Sequence, residues 1–175
     1  MTGAGTNGVV GEHLLVVLDT AYDHASWHGV NLRGSLRRVS LDAAAWRPRP
    51  GAHNVWELMV HAAYWKYAAW RRLSGAARGS FPLTGSNWFV RPGVRTARAW
   101  SDDLRLLDDM HRHLREAVRD TVIATPPRRL DRALPGGRTT RLALITGIAA
   151  HDLYHAGQIQ LLKKLFRTRA GRDSR

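Results

Sequence analysis

Four stretches of the chain repeat apolar residues at steps of three and four, the period of a helix with one buried face. The first runs from about Val10 to Asp23, with Leu14, Leu15, Val17 and Leu18 on its apolar side. His24 to Pro50 is irregular, apart from a short helical piece predicted for Leu41 to Trp46 behind Ser40. Pro50-Gly51 marks a turn. The second helix opens at Asn54, because Asn54-Val55-Trp56-Glu57 has capping-box spacing: the Asn side chain takes the Glu57 amide while Glu57 reaches back. It runs to about Leu73 and stops near Gly75, where a Gly-, Pro- and Arg-rich loop to Gly93 begins. The third spans Ala97 to Val122 and is ended by Thr125-Pro126-Pro127. A loop closing with Pro135-Gly136-Gly137 leads to the fourth, from about Thr140 to Phe166. No repeat and no strand-like alternation is present. The pattern predicts an all-α fold, a four-helix bundle whose connections are too long for hairpin turns and must run along or across it. Residues 1–9 are read as a flexible N-terminus, 10–166 as the bundle and 167–175 as a basic tail.

Composition narrows this picture in two ways. The chain has 175 residues, enough for one domain with a real core, and no cysteine. Disulfides, thiolate ligands and a cysteine nucleophile are therefore excluded, and any metal must be held by nitrogen and oxygen donors. No apolar run approaches the ~18–20 residues that span a bilayer. The N-terminus lacks a basic segment followed by a long apolar one, so a cytoplasmic location is expected.

The net charge of +13 is unevenly spread. Residues 1–62 are balanced, whereas 63–100 hold seven basic side chains and no acid, and 163–175 hold six basic side chains against one acid. Lys163, Lys164, Arg167 and Arg169 fall at the end of a predicted helix, where cations offset the carbonyl end of the dipole. No helix-turn-helix, RNA-recognition or zinc-finger pattern accompanies the charge, so nucleic acid is not the expected partner.

The chemistry concentrates on the fourth helix. Its seam reads Leu144, Ile148, His151, His155, Gln158, Leu162, Leu165, with three polar members inside an aliphatic stripe. Each buried imidazole or amide costs about 1–3 kcal/mol unless a partner satisfies it. His151 and His155, at i and i+4, lie one above the other and can converge on one ion. Ala149, Ala150, Ala156 and Gly157 around them leave room for close packing or a cavity. On the second helix His61 shares a seam with Leu58, Trp65 and Ala68, beside Glu57 and Tyr64. Three nitrogens from two helices would leave coordination positions open, as catalytic sites do. A water-filled polar pocket would explain the same pattern.

Around that core Asp152 reads as a salt-bridge or ligand-orienting residue. Glu57 reads mainly as a cap, and Tyr154, Gln158 and His28 as pocket residues. His111 sits on a seam with Leu104, Leu107 and Leu114 of the third helix. His151-Asp152-Leu153-Tyr154-His155 is one residue from the H-E-x-x-H protease pattern, but Asp is one methylene shorter than Glu and no downstream ligand completes the set.

PGAHNVWELMVHAAYWKY, followed by GIAAHDLYHAGQIQLLKKL, resembles the DinB/YfiT-like superfamily of metal-binding four-helix proteins. The likeness extends upstream to WHGVNLRGSL and AAWRPRPG, and so covers about Leu14 to Leu165. It implies an up-down-down-up bundle, a homodimer, and a divalent ion, zinc or nickel, held by the residues that here are His61, His151 and His155. It also points to a metalloenzyme acting on a small molecule, either a hydrolase or, as in relatives that use bacillithiol or mycothiol as thiol cosubstrate, an S-transferase or isomerase. The basic stretch from Lys66 to Arg98 would then hold an acidic cosubstrate. The alternative is a non-catalytic, stress-associated metal-binding bundle whose basic surface docks an acidic partner.

Overall fold

The capping residues set the helix ends much as the sequence predicts. The computed structural model describes residues 3–170, with α1 Gly3–Tyr22, α2 Leu32–Ser35, α3 Leu41–Ala45, α4 Val55–Ser74, α5 Ala97–Ala124, α6 Pro127–Leu130 and α7 Arg141–Ala170. At α4 the Asn54 side chain accepts from the Glu57 amide at 2.8 Å, and the Glu57 carboxylate accepts from the Asn54 amide. Gly75 then ends the helix at φ 74°, in the left-handed region that glycine enters without steric cost. α1 begins at Gly3 rather than Val10, and α7 continues through Ala170 instead of stopping at Phe166. The single turns α2 and α6 are too short to show a period; Asn31 caps the first and Pro127 opens the second. Residues 171–175 of the expected tail, and the first two of the chain, lie outside the described residues.

Cross-helix contacts define the topology. The middle of α1 meets the end of α5, where a Cβ on Gly11 would lie 3.0 Å from Val122, and Asp19 near the end of α1 pairs with Arg115. These two helices are antiparallel. α4 and α5 run together: Trp56 donates to Asp103 near both starts, and Lys66 meets His111 further along. α4 and α7 oppose one another, since Ala69 and Arg72 lie beside Thr139 and Leu144 while His61 reaches His151. The bundle is therefore up-down-down-up. α4 is its central member: Val55 to Ala63 are all buried. Two clusters form the core, one centred on Trp56, Met59 and Leu107, the other on Leu14, Leu18, Leu114 and Ile145. No described helix is long and apolar enough to cross a membrane.

Two parallel neighbours cannot be joined by a turn. The connection 75–96 must travel back along α4, a 20-residue helix about 30 Å long by its rise per residue. That return path lays Asn87 and Trp88 beside the middle of α4.

A buried polar network crosses the interior where all four long helices meet. Lys66 on α4, fully buried, pairs with the equally buried Asp152 on α7. Its ammonium also lies 3.3 Å from His111 Nδ1 on α5 and 4.5 Å over the Tyr22 ring of α1. Tyr22 stacks on His111 and bonds to Asp108, which Arg33 also holds. Burial raises Asp152 to about 6 and lowers Lys66, against the attraction each exerts on the other. Lys66 is thus a core residue and does not belong to the exposed basic loop, as its position in an acid-free stretch had suggested. Lys163 is likewise no helix-end cation: it is buried and donates to the Ser35 and Arg37 carbonyls at 2.7 and 2.9 Å, tying α2 to α7. The seam ends sooner than predicted, for Leu165 is 40% exposed.

Lys66→Met leaves Asp152 buried without its counter-ion, and should destabilise the fold by about 3–5 kcal/mol in urea titrations. Lys66→Met/Asp152→Leu should recover most of that loss. Burial first, then Lys66, Arg115 and His24, depresses His111 from 6.5 to about 2. The unfolded chain therefore takes up a proton that the folded chain refuses, and stability falls as pH drops below about 6.5. His111→Phe should flatten the unfolding free energy against pH, between pH 6 and 4, by about 1.4 kcal/mol per pH unit relative to wild type.

Candidate metal centre

α4 and α7 present three imidazoles to one point. His151 and His155, one turn apart on α7, bring their Nε2 atoms to 3.0 Å, and His61 Nε2 on α4 lies 3.2 Å from His151 Nε2. Among the described residues these three form the one group of histidine or carboxylate donors that could hold a metal ion, with ligand atoms within 4.8 Å of one another. Nitrogens bound to one ion at ~2.0–2.1 Å lie about 2.8–3.4 Å apart in octahedral or tetrahedral geometry, a range that includes both spacings made by His151.

The protonation pattern fits a cation. His61 Nδ1 is 2.8 Å from the Asn87 carbonyl, and His155 Nδ1 is 2.6 Å from Gln158 Oε1. Both acceptors place the ring proton on Nδ1 and leave a lone pair at Nε2. His151 Nδ1 is buried with no hydrogen-bond partner among the described residues. Protonation is disfavoured throughout: burial, then His155, His61 and Lys66, lowers His151 to about 3, and burial foremost lowers His155 to about 4. Burial likewise lowers His61, against the pull of its bond to the Asn87 carbonyl. Neutral imidazoles are the metal-binding form.

The return loop supplies the setting of His61. Asn87 sits at φ 65°, turning its carbonyl to His61 while its side chain accepts from Trp65 Nε1 at 3.0 Å. Trp88 stacks on His61 at 3.8 Å and on His53 at 3.6 Å, so one indole lies between two imidazoles. An apolar cavity of ≈ 160 Å³ reaches His151, walled by Trp65, Ala68, Ala143, Leu144, Gly147 and Ile148.

The other predicted residues fall in different places. Gln158 orients His155, and its amide also donates to the hydroxyl of Tyr154, which is 64% exposed. Glu57 caps α4 and is bound by Arg47 and His53; burial raises its carboxyl, but Arg47, the Arg91 amide and His53 outweigh it and hold it below the usual range. No hydrogen bond joins it to the triad among the described residues, but His53, which it bonds, stacks on Trp88, and Trp88 stacks on His61. Asp152 points away from the triad to Lys66. His28 stands exposed beside Ser26, and among the described residues no hydrogen bond or ring contact joins it to the triad. Gly157 is exposed rather than packed, with nothing near a Cβ built on it. Asn87 and Trp88 were not anticipated. Their segment has no apolar period, and an isolated Trp in a Gly-rich loop was its one signal.

A family model described as the DinB superfamily matches residues 24–159, a span that contains all three histidines and Gln158. No curated protein and no solved structure matches the chain.

Gln158→Leu removes the acceptor that holds the His155 tautomer, and should weaken zinc binding by about 10–100-fold in competition with a chromophoric chelator. Unchanged affinity would show that Gln158 does not orient the ring.

Proposed function

The chain belongs to the DinB superfamily, and from that premise we propose that it is a divalent-metal enzyme joining a low-molecular-weight thiol to a small electrophile. The observation that carries this reading is the apolar cavity opening on His151, one of three convergent imidazoles. Such a cavity gives the apolar part of a substrate a place beside the imidazoles.

His61, His151 and His155 would hold the ion, and the Asn87 carbonyl and Gln158 keep two of the rings in the binding tautomer. A divalent ion there supplies Lewis acidity, which lowers the pKa of a thiol brought to it. The chain has no cysteine, so the sulfur comes from the cosubstrate. That thiol gives up its proton to solvent, and its sulfur forms the new bond to the electrophilic carbon, whose leaving group departs with the bonding pair. Leu144, Ile148 and Trp65 hold the apolar part of the electrophile and exclude water. Zinc or nickel suits an all-imidazole donor set. A homodimer in the cytoplasm is part of the same reading.

Zinc-loaded protein should accelerate adduct formation between 2-mercaptoethanol and 1-chloro-2,4-dinitrobenzene at least tenfold over metal-free protein. His155→Ala should abolish that gain. Equal rates with and without metal would end the proposal.

A further inference from the structure

Seven basic side chains and no acid occupy residues 63–100. Four of the seven find carboxylates elsewhere: Lys66 with Asp152, Arg91 with Asp103, Arg95 with Asp42 and Arg98 with Asp102. The other three, Arg71, Arg72 and Arg78, pair with no carboxylate among the described residues, and all three line one cavity of ≈ 590 Å³.

This cavity lies between the second half of α4 and the loop that leaves it. Tyr64, Tyr67 and Phe81 give it an aromatic wall, with Phe81 5.3 Å edge-on to Tyr64 and 5.4 Å from Tyr67. The Tyr67 hydroxyl accepts from the Gly79 and Ser80 amides at 3.1 and 3.3 Å, fixing the loop across the opening. Arg71 and Arg78 bring like charge to one concavity, with Arg72 at its edge, its guanidinium beside Gly137, and a partly enclosed space focuses that field on whatever enters. A carboxylate offsets that charge through paired hydrogen bonds to guanidinium, and a planar body stacks on aromatic rings.

We infer that this cavity is a binding site for a small planar organic carboxylate. The site stands on the arginines and rings and needs no metal, so it goes beyond the reaction proposed above. It nevertheless adjoins that site: Trp65, Ala68 and Arg72 line both this cavity and the apolar one that reaches His151. A carboxylate held here lies one side-chain layer from the imidazoles.

The test titrates full-length, metal-free protein with naphthalene-2-carboxylate and with the uncharged naphthalene-2-carboxamide, by calorimetry and tryptophan fluorescence. The carboxylate should bind at least tenfold more tightly than the amide. Arg71→Gln/Arg78→Gln should remove that preference, whereas Arg105→Gln on α5, away from the cavity, should keep it. Arg78 is exposed on the loop, so Arg78→Gln alone, expected to weaken carboxylate binding at least threefold, serves if the double variant misfolds. No binding, equal binding of acid and amide, or binding unaffected by the arginine variants overturns the inference. Carboxylate binding by a protein inert toward thiols would refute the reaction and leave this site standing. The converse result would do the opposite.

Discussion

An imidazole that carries its proton on Nδ1 presents a lone pair at Nε2. Neighbouring lone pairs 3.0 and 3.2 Å apart repel unless a cation, or a proton carried on His151 Nε2, lies between them. The middle of this bundle is built around that constraint. Asn87 and Gln158 accept the Nδ1 protons of His61 and His155, so two of the rings cannot relieve the repulsion by changing tautomer. Burial keeps the rings neutral, so without an ion the one proton able to bridge them is His151's own. A divalent ion satisfies all three nitrogens at once.

The topology makes the arrangement possible. Because α4 and α5 run in the same direction, the chain must return along α4 before α5 can start, and that return brings Asn87 and Trp88 against His61. Lys66 and Asp152 lie on the same two helices as the triad, one ion pair joining α4 to α7 beside the histidines. Their attraction offsets the desolvation of both charges only in a fixed register, so the pair disfavours sliding of one helix past the other. The residues that bring the imidazoles together and those that lock the helices are thus different, and sit on adjacent faces.

Much of this was legible in the sequence because it is governed by local geometry. Asn54 and Glu57 cap α4 whatever surrounds them, and His151 and His155 must share a face because they are four residues apart on a helix. Polar side chains in an aliphatic stripe marked the site, and His61 stood out for the same reason on α4. What was hidden depends on contacts distant in the chain. Nothing near Lys66 reveals that Asp152 will face it, so an acid-free stretch made it look like a surface cation. The role of Lys163 required knowing that the α2 carbonyls would lie beside α7. Asn87 and Trp88 belong to a loop whose path follows from the order of the helices, not from any periodicity of its own.

The central claim is that these three imidazoles share one ion, and X-ray absorption at the zinc edge of the stoichiometrically loaded protein tests it most directly. The account predicts three imidazole nitrogens at about 2.0 Å with at least one further oxygen donor, and loss of one imidazole in His61→Ala. A spectrum with fewer than three imidazoles, or one unchanged by His61→Ala, would contradict it.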